Sequence, residues 1–187
     1  MHGLNTTRNR VIVRKITEDD LEVLWGYIYK DESPQWKQWD APYFQHVRKS
    51  YDEYRQSFLN NVERNDEHQR IIEVDNKIIG TTSYYWEYEP TKWLEAGIVI
   101  YDPAYWNGGY GTEALTKWVD HLFETKDIGR VGITTWSGNE RMMRAAEKVG
   151  MTLEGRMRKC RYYNGVYYDS IRMGMIREEW EQLKANG

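Results

Sequence analysis

The chain has 187 residues, a net charge of −3 and a sequence pI of about 5.9. This length suits a single domain over residues 1–187, because no linker divides it. The acidic balance argues against broad electrostatic binding to nucleic acid. A single cysteine, Cys160, excludes an internal disulfide and a cysteine-based metal site, and the four histidines lack ligand spacing, so we expect no metal.

We expect a cytoplasmic protein that does not enter a membrane. No apolar run is long enough to span a bilayer, and residues 1–10 are too polar for a secretory signal.

The first half of the chain is predicted to hold one strand and two helices. Residues 11–16 read as a strand, and Thr17 caps a helix whose buried stripe begins at Leu21. A loop covers residues 31–42. The second helix is predicted from an apolar stripe: Phe44, Val47, Tyr51, Tyr54, Phe58 and Val62. A polar connection follows over residues 60–69.

The second half is predicted to contribute most of the strands. Residues 71–74 and 78–85 form a hairpin, 93–100 a central strand, and 131–136 a strand after a helix. Asn139 caps a further helix that ends at Gly150. Strands over 151–163 and 166–176 are joined by Asn164-Gly165, a strong hairpin signal. This order indicates a mixed α/β domain built on one sheet, with parallel pairing across the glycine-rich helix.

Between the central strand and that helix lies a glycine-rich stretch, Trp106-Asn107-Gly108-Gly109-Tyr110-Gly111-Thr112-Glu113-Ala114. A helix start offers unpaired N–H groups and a positive dipole end, and glycines remove the Cβ atoms that would keep a bulky anion away. The stretch therefore predicts a pyrophosphate cradle; the alternative is a glycine-rich turn without a ligand.

Two other phosphate motifs are discounted. A Walker loop needs a lysine directly after Gly111, and the first one is Lys117. A dinucleotide fingerprint fits formally as Gly109-x-Gly111-x-x-Ala114. However, residues 101–105 separate it from its strand, and the next strand ends without a carboxylate.

Three segments together resemble the GCN5-related N-acetyltransferase (GNAT) superfamily, in its RimJ/RimL-like ribosomal-protein N-terminal acetyltransferase branch. Residues 94–100 resemble the central strand of that family, residues 106–114 its acetyl-CoA loop, and Asn139-Glu140-Arg141 with residues 147–151 its fourth helix. The resemblance implies a GNAT-like α/β (α+β) fold, with a mixed central sheet of six to seven strands flanked by about four helices.

The same resemblance implies acetyl-CoA as cofactor. It places the pyrophosphate on backbone N–H groups of Asn107, Gly108, Gly109, Tyr110, Gly111 and Thr112. The pantetheine arm is expected along Ile98, Val99 and Ile100, with Asn139 beside it. From spacing alone, Asn139 fits equally well as a plain helix cap, and the strand residues fit as core.

Three departures from the family pattern stand out. Trp106 replaces the usual Gln or Arg, Met142 replaces a small residue, and Ala146 stands where many relatives carry a tyrosine that protonates the leaving thiolate. The RimJ/RimL-like branch commonly lacks that tyrosine too, so no acid is assigned from it.

Acetyl transfer to an amine needs a base that keeps the amine neutral. Glu95 on the central strand is the candidate, acting directly or through water; the alternative is an exposed carboxylate in an ion pair. A backbone N–H near Val99 is the expected oxyanion donor. Ser137 is a second catalytic candidate, at the thioester sulfur, or a turn residue. Four aromatic residues are expected to wall the acceptor pocket or to pack at the mouth of the sheet: Trp36, Trp39, Tyr85 and Trp86.

The predicted function is an acetyl-CoA-dependent N-acetyltransferase acting on the α-amine of a protein or peptide N-terminus. A small amine such as a polyamine or an antibiotic is the alternative acceptor, and a non-catalytic acyl-CoA-binding module is the alternative class. A protein N-terminus needs an open groove between the early helical region and the last hairpin, whereas a small amine favours a closed cup with carboxylates. The sequence leaves monomer and homodimer open.

Overall fold

The computed structural model describes residues 10–64 and 67–187. All strands in this part of the chain join one seven-stranded sheet in the order β1-β2-β3-β4-β5-β7-β6. The strands are β1 (Ile12–Lys15), β2 (Gln69–Val74), β3 (Lys77–Tyr88), β4 (Trp93–Ile100), β5 (Arg130–Trp136), β6 (Thr152–Tyr163) and β7 (Val166–Ile176).

Five α-helices accompany this sheet within the described ranges. They are α1 (Leu21–Tyr29), α2 (Tyr51–Glu63), α3 (Tyr110–Thr125), α4 (Glu140–Val149) and α5 (Arg177–Asn186). A short 3-10 helix, Gln35–Trp39, lies in the loop between α1 and α2. The predicted mixed α/β fold on one central sheet is confirmed.

Among the strands of residues 10–64 and 67–187, only the pair β4 and β5 runs parallel, as predicted across the glycine-rich helix; the other neighbouring strands are antiparallel. Parallel neighbours need a crossover, and α3 supplies it. This junction matters for the site, because β4 and β5 are in register at one position alone, Glu95 opposite Gly132.

Helix α3 packs on one face of the sheet with the apolar stripe predicted from its sequence. Leu115, Trp118 and Leu122 are fully buried against Leu94 of β4 and Ile133 of β5. Burying a large apolar side chain contributes about 1.5–3 kcal/mol each, so this stripe fixes α3 and the loop before it. The opposite face carries α1 and α2.

The second helix was predicted to begin too early. Helix α2 starts at Tyr51, and Phe44 and Val47 lie before it with exposed side chains. A capping box sets its start, because the Ser50 hydroxyl accepts from the Glu53 N–H and the Glu53 carboxylate accepts from the Ser50 N–H. The helix runs to Glu63, so the predicted connection over residues 60–69 is partly helical.

Two further expectations are corrected in the last third of the chain. Helix α5 follows β7 directly and was not predicted. Cys160 lies on the predicted strand over residues 151–163, where a cysteine is more often a core residue than a nucleophile, but its side chain is exposed, because β6 is an edge strand with almost all its side chains in solvent. No helix in the two described ranges has the length and apolar character needed to cross a membrane.

The α1 face is held by an ion pair that gives a testable pH dependence. Both oxygens of Asp20 accept from the Arg14 guanidinium at 2.9 Å, and one also accepts from the Thr17 N–H and hydroxyl at 2.8 Å. The hydrogen bonds from Arg14, with those from Thr17, lower the pKa of Asp20 to about 2 against the opposing effect of burial.

Replacing Asp20 by asparagine should therefore lower the free energy of unfolding at pH 7 by roughly 2 kcal/mol. Because the pKa of Asp20 is lower in the folded than in the unfolded protein, its carboxylate stabilises the fold at pH values above the unfolded-state pKa. The difference in the free energy of unfolding between the variant and the wild type should therefore narrow as the pH falls from about 4 towards about 2. Urea unfolding at a series of pH values measures it. Asp19→Asn, at an exposed neighbour, is the control; a pH-independent difference at Asp20 would contradict the account.

Candidate functional site

A cavity lies between β4 and β5, directly beyond Glu95 and Gly132, the one pair of residues at which these two strands are in register. The cavity has a volume of about 550 Å³. Beyond Glu95 and Gly132 the two strands separate, and the residues that follow on each strand line the cavity. The lining residues from the strands are Ala96, Gly97, Ile98, Val99, Ile100, Thr134, Thr135, Trp136 and Ser170.

The backbone of β4 offers hydrogen-bonding groups to this gap at alternate residues. The Tyr101 N–H donates to the Ile79 carbonyl, and a Cβ added at Gly80 would lie 2.1 Å from the Val99 carbonyl oxygen. The backbone groups of Val99 and Tyr101 therefore face β3. Because adjacent residues of a strand direct these groups to opposite sides, the N–H groups of Ile98 and Ile100 face the gap.

The oxyanion donor was expected to be a backbone N–H near Val99, and this geometry narrows the candidates to the N–H groups of Ile98 and Ile100. It also explains what Trp106 does in place of the usual Gln or Arg. The indole Nε1 of Trp106 donates to the Ile100 carbonyl at 2.9 Å. It thereby supplies a hydrogen bond to the last carbonyl of β4 that faces the gap. The gap-facing N–H groups of Ile98 and Ile100 remain for a ligand.

The glycine-rich loop forms the end of the cavity at the start of α3. Asn107 and Gly109 have positive φ angles of 63° and 83°, which turn the chain into the helix. The first backbone hydrogen bond of α3 runs from the Glu113 N–H to the Gly109 carbonyl. The N–H groups that precede Glu113 in the first turn therefore have no partner within the helix. Asn107, Gly109, Gly111 and Thr112 line the cavity.

Gly108 and Tyr110, the other two residues predicted for the cradle, are not among the lining residues. The Gly108 carbonyl accepts from the Arg10 guanidinium at 2.8 Å, and this guanidinium also stacks on the Tyr110 ring, 4.1 Å from its centroid. A Cβ at Gly108 would lie 2.6 Å from that ring. These two residues thus anchor the loop from its outer side.

Helix α4 brings basic side chains to the same end of the cavity. Arg141, Arg144 and Lys148 line it. The Arg141 guanidinium stacks on two indoles, 4.8 Å from the Trp39 ring and 5.1 Å from the Trp106 ring, and burial lowers its pKa. Asn139 is the N-cap of α4, accepting from the Met142 N–H at 3.1 Å, and it also lines the cavity. The loop and helix together suit a phosphorylated ligand.

Aromatic residues from the loop between α1 and α2 form the opposite wall. Trp36, Trp39, Tyr43 and Phe44 line the cavity there. The Trp136 indole donates to the Trp39 carbonyl at 2.9 Å and ties this loop to β5. Trp36 also donates to the Tyr27 carbonyl, so it serves packing as well. The indole N–H of Trp39 is buried and has no hydrogen-bond partner in the described part of the chain.

Glu95, the predicted base, is fully buried at the point where the strands separate, and it is not among the lining residues. Its Oε1 accepts from the Trp93 indole and the Arg130 guanidinium, both at 3.0 Å, and lies 3.6 Å from the Arg172 guanidinium. Its Oε2 accepts from the Thr134 hydroxyl at 3.1 Å. Glu95 is thus an ion-paired carboxylate whose link to the cavity runs through Thr134.

Two glycines make room for this ion pair. A Cβ at Gly132 would lie 2.6 Å from both Glu95 Oε1 and the Arg130 guanidinium, and a Cβ at Gly174 would lie 2.5 Å from that guanidinium. Arg130 also pairs with Glu154, and Arg172 also pairs with Glu87. The carboxylate can cross β5 towards Thr134 because residue 132 has no side chain.

Tyr85 and Ser137 do not line the cavity. Tyr85 pairs opposite Glu95 on β3 and is half exposed; burial and the charge of Glu95 raise its pKa, and a hydrogen bond with Thr134 opposes the rise. The Ser137 hydroxyl accepts from the Asp169 N–H at 3.0 Å and the Ser137 N–H donates to the Asp169 carbonyl, so Ser137 joins β5 to β7.

Several lining residues were missed by sequence reasoning. They are Tyr43, Thr134, Trp136, Arg141, Arg144, Lys148, Arg161 and Ser170. Arg141 and Lys148 fall within the segments that carried the family resemblance, so they could have been found. Thr134 and Ser170 had no local signal, because their place depends on how β5 pairs with β7.

Comparisons with known proteins agree with this geometry. The family model of the acetyltransferase (GNAT) domain matches residues 10–152. The uncharacterized N-acetyltransferase YoaA of Bacillus subtilis (strain 168) is 25% identical over 163 residues, 87% of this chain and 90% of that protein.

Two solved structures show the same fold with different acceptors. RimL, a ribosomal L7/L12 alpha-N-protein acetyltransferase in complex with coenzyme A, is 22% identical, with a TM-score of 0.74 over 91% of this chain and 96% of the RimL chain. Spermidine N-acetyltransferase from Vibrio cholerae, in complex with CoA and spermine, is 18% identical, with a TM-score of 0.72 over 93% of this chain and 99% of the Vibrio chain.

Proposed function

This chain belongs to the acetyltransferase (GNAT) family, and we propose that it transfers the acetyl group of acetyl-CoA to the α-amine of a protein or peptide N-terminus. It is an N-acetyltransferase, and acetyl-CoA is the cofactor of its family. The observation that supports the proposed acceptor is an open aromatic groove that holds one carboxylate among its lining residues in the described ranges.

Within the proposal, the cofactor occupies the gap between β4 and β5. The free N–H groups at the start of α3 would hold its diphosphate, and Arg141, Arg144 and Lys148 would neutralise its phosphates. The N–H of Ile100, with Asn139, would hold its pantetheine arm, and the N–H of Ile98 would donate to the thioester oxygen. When bound, the cofactor supplies an acetyl thioester that an amine attacks directly.

The charges around the groove disfavour a polyamine. A polyamine carries several ammonium groups and needs carboxylates to hold them. The one carboxylate in the lining, Asp40, is already paired with Lys37, and Arg161, the lining cation that is not assigned to the cofactor phosphates, adds a positive charge.

The groove also leaves room for a chain that continues beyond its first residue. It lies between the aromatic loop and the β6–β7 hairpin, where the Arg161 guanidinium stacks on Tyr43, 5.3 Å from the ring centroid. The hairpin has four basic side chains between Arg156 and Tyr168; Arg156 is paired with Asp169, and the other three are Arg158, Lys159 and Arg161, although the whole chain is acidic. These features favour a peptide acceptor, and among peptides one with acidic residues near its N-terminus.

The proposed roles of the remaining predicted residues follow from where they lie. Trp36 and Trp39 wall the groove, and Glu95 takes up the amine proton. Tyr85 lies beside Thr134 rather than in the groove, so contact with the acceptor stays a prediction. The role of Ser137 at the thioester sulfur also stays a prediction, to be tested by the turnover of Ser137→Ala.

The experiment is a screen for CoA release from acetyl-CoA with three kinds of acceptor. We expect kcat/KM for a peptide with acidic residues at positions 2–4 to exceed that for spermidine at least about tenfold, and to fall with added salt. A matched peptide with lysines at those positions should react more slowly. Faster turnover of spermidine would contradict the proposed acceptor, and tight CoA binding without release to any amine would favour a non-catalytic module.

A further inference from the structure

We propose that the Thr134 hydroxyl is the proton relay of this enzyme, which passes the proton of the acceptor amine to Glu95. Glu95 is fully buried and is not among the lining residues, so it cannot reach an amine in the cavity directly. Thr134 is exposed, lines the cavity, and donates to Glu95 Oε2 at 3.1 Å.

The other contacts of Glu95 are made by Oε1, which leaves Oε2 as the oxygen that accepts the proton. Trp93 and Arg130 donate to Oε1, and the guanidinium of Arg172 lies nearest the same atom. Among the hydrogen bonds of the described residues, Oε2 has the Thr134 hydroxyl as its donor. A hydroxyl both donates and accepts, so Thr134 can accept from an N–H in the cavity while it donates to Glu95.

The position of Thr134 suits the reacting atoms. It lies two residues beyond Gly132, the last residue of β5 in register with β4, and thus faces the start of the gap. The N–H of Ile98, the proposed oxyanion donor, lies on the other side of the same gap. An acyl carbon held between the two strands would have the donor on one side and the relay on the other.

These groups and water account for every proton that is transferred in the reaction. As the amine nitrogen forms its bond to the acyl carbon and the carbon–sulfur bond breaks, the nitrogen gives its proton to Thr134 Oγ1, and the Thr134 hydroxyl proton passes to Glu95 Oε2. The sulfur leaves with the electron pair and takes a proton from water. Glu95 then returns its proton to water through Thr134 and the neighbouring, half-exposed hydroxyl of Tyr85.

This relay rests on acetyl transfer to an amine and not on which amine is the acceptor. The test therefore uses the acceptor, peptide or small amine, that gives the fastest CoA release with the wild-type enzyme. A negative result in the peptide screen would overturn the proposed acceptor and leave the relay to be judged separately.

Thr134→Val removes the hydroxyl and keeps the shape, and Thr134→Ser restores the hydroxyl. We expect the valine variant to lose about 100-fold in kcat, with the KM for acetyl-CoA within about threefold of wild type, and the serine variant to retain most of the activity. The solvent isotope effect on kcat should rise in the valine variant, because proton transfer becomes rate-limiting.

Gly132→Ala is the second test, since its Cβ would displace the Glu95 carboxylate while Thr134 and Glu95 are both retained. We expect it to lower kcat with little change in acetyl-CoA affinity, at a temperature where thermal melting shows a folded protein. A valine variant with near wild-type kcat would overturn the relay, and so would equal losses for valine and serine, which would indicate that Thr134 acts through packing.

Discussion

Replacing Glu95 by glutamine should lower kcat by about 100- to 1,000-fold and leave the Kd of acetyl-CoA within about threefold of wild type. The amide keeps the shape and one acceptor oxygen but cannot take up the proton that Thr134 delivers. Initial rates of CoA release and calorimetric titration with acetyl-CoA measure the two quantities.

The matched control is Glu154→Gln. Glu154 pairs with the same guanidinium, Arg130, but makes no bond to Thr134. Both substitutions remove a carboxylate from Arg130, so a general weakening of the ion network would lower the two activities alike. Removing one member of a buried ion pair can cost about 3–5 kcal/mol, which applies to the buried Glu95 more than to the partly exposed Glu154, so both variants should be assayed well below their melting temperatures. Equal turnover in the two variants would exclude Glu95 as the proton acceptor.

Replacing Thr112 by aspartate should weaken the binding of acetyl-CoA about 100-fold without destabilising the protein. Thr112 lies in the first turn of α3 and lines the cavity. A carboxylate about 5 Å from one phosphate charge costs about 3 kcal/mol at an effective dielectric constant of about 20. The same carboxylate interacts favourably with the helix dipole, by about 0.3–1 kcal/mol, so stability and affinity should change in opposite directions.

Thr112→Asn is the control, because asparagine matches aspartate in shape and lacks its charge. The asparagine variant should bind acetyl-CoA close to normally, and the difference between the two variants should shrink as salt is added. Isothermal titration and thermal melting measure both effects. Equal affinities of the aspartate and asparagine variants would show that the diphosphate is held elsewhere.

The parts of the site that could be predicted from the sequence are those carried by contiguous stretches. The glycine-rich stretch, the helix after it and the central strand each have a local pattern, and the structure places Gly109, Gly111 and Thr112 at the end of the cavity. The order of the strands and of the helices up to α4 could likewise be predicted, because periodicity is a local property; α5 was missed.

The surroundings of Glu95 could not be predicted, because they come from distant segments. Arg130 and Arg172 reach the carboxylate from β5 and β7, and their position depends on strand pairing across about 40 residues of chain. Trp36 and Trp39 of the aromatic wall were named from the sequence as candidates, whereas Tyr43 of the same loop was missed, because periodicity gives no signal in a loop. The start of α2 could have been predicted, because the Ser50 and Glu53 capping box is a local sequence signal. The apolar stripe suggested an earlier start for this helix.

The most direct measurement of the central claim is amide hydrogen exchange, read by NMR on the full chain with and without coenzyme A. We predict that binding slows exchange at the amides of Gly109, Gly111 and Thr112 at the start of α3, and at Ile98 and Ile100 on β4. Saturation with coenzyme A that leaves these amides unchanged, while others become protected, would contradict the account.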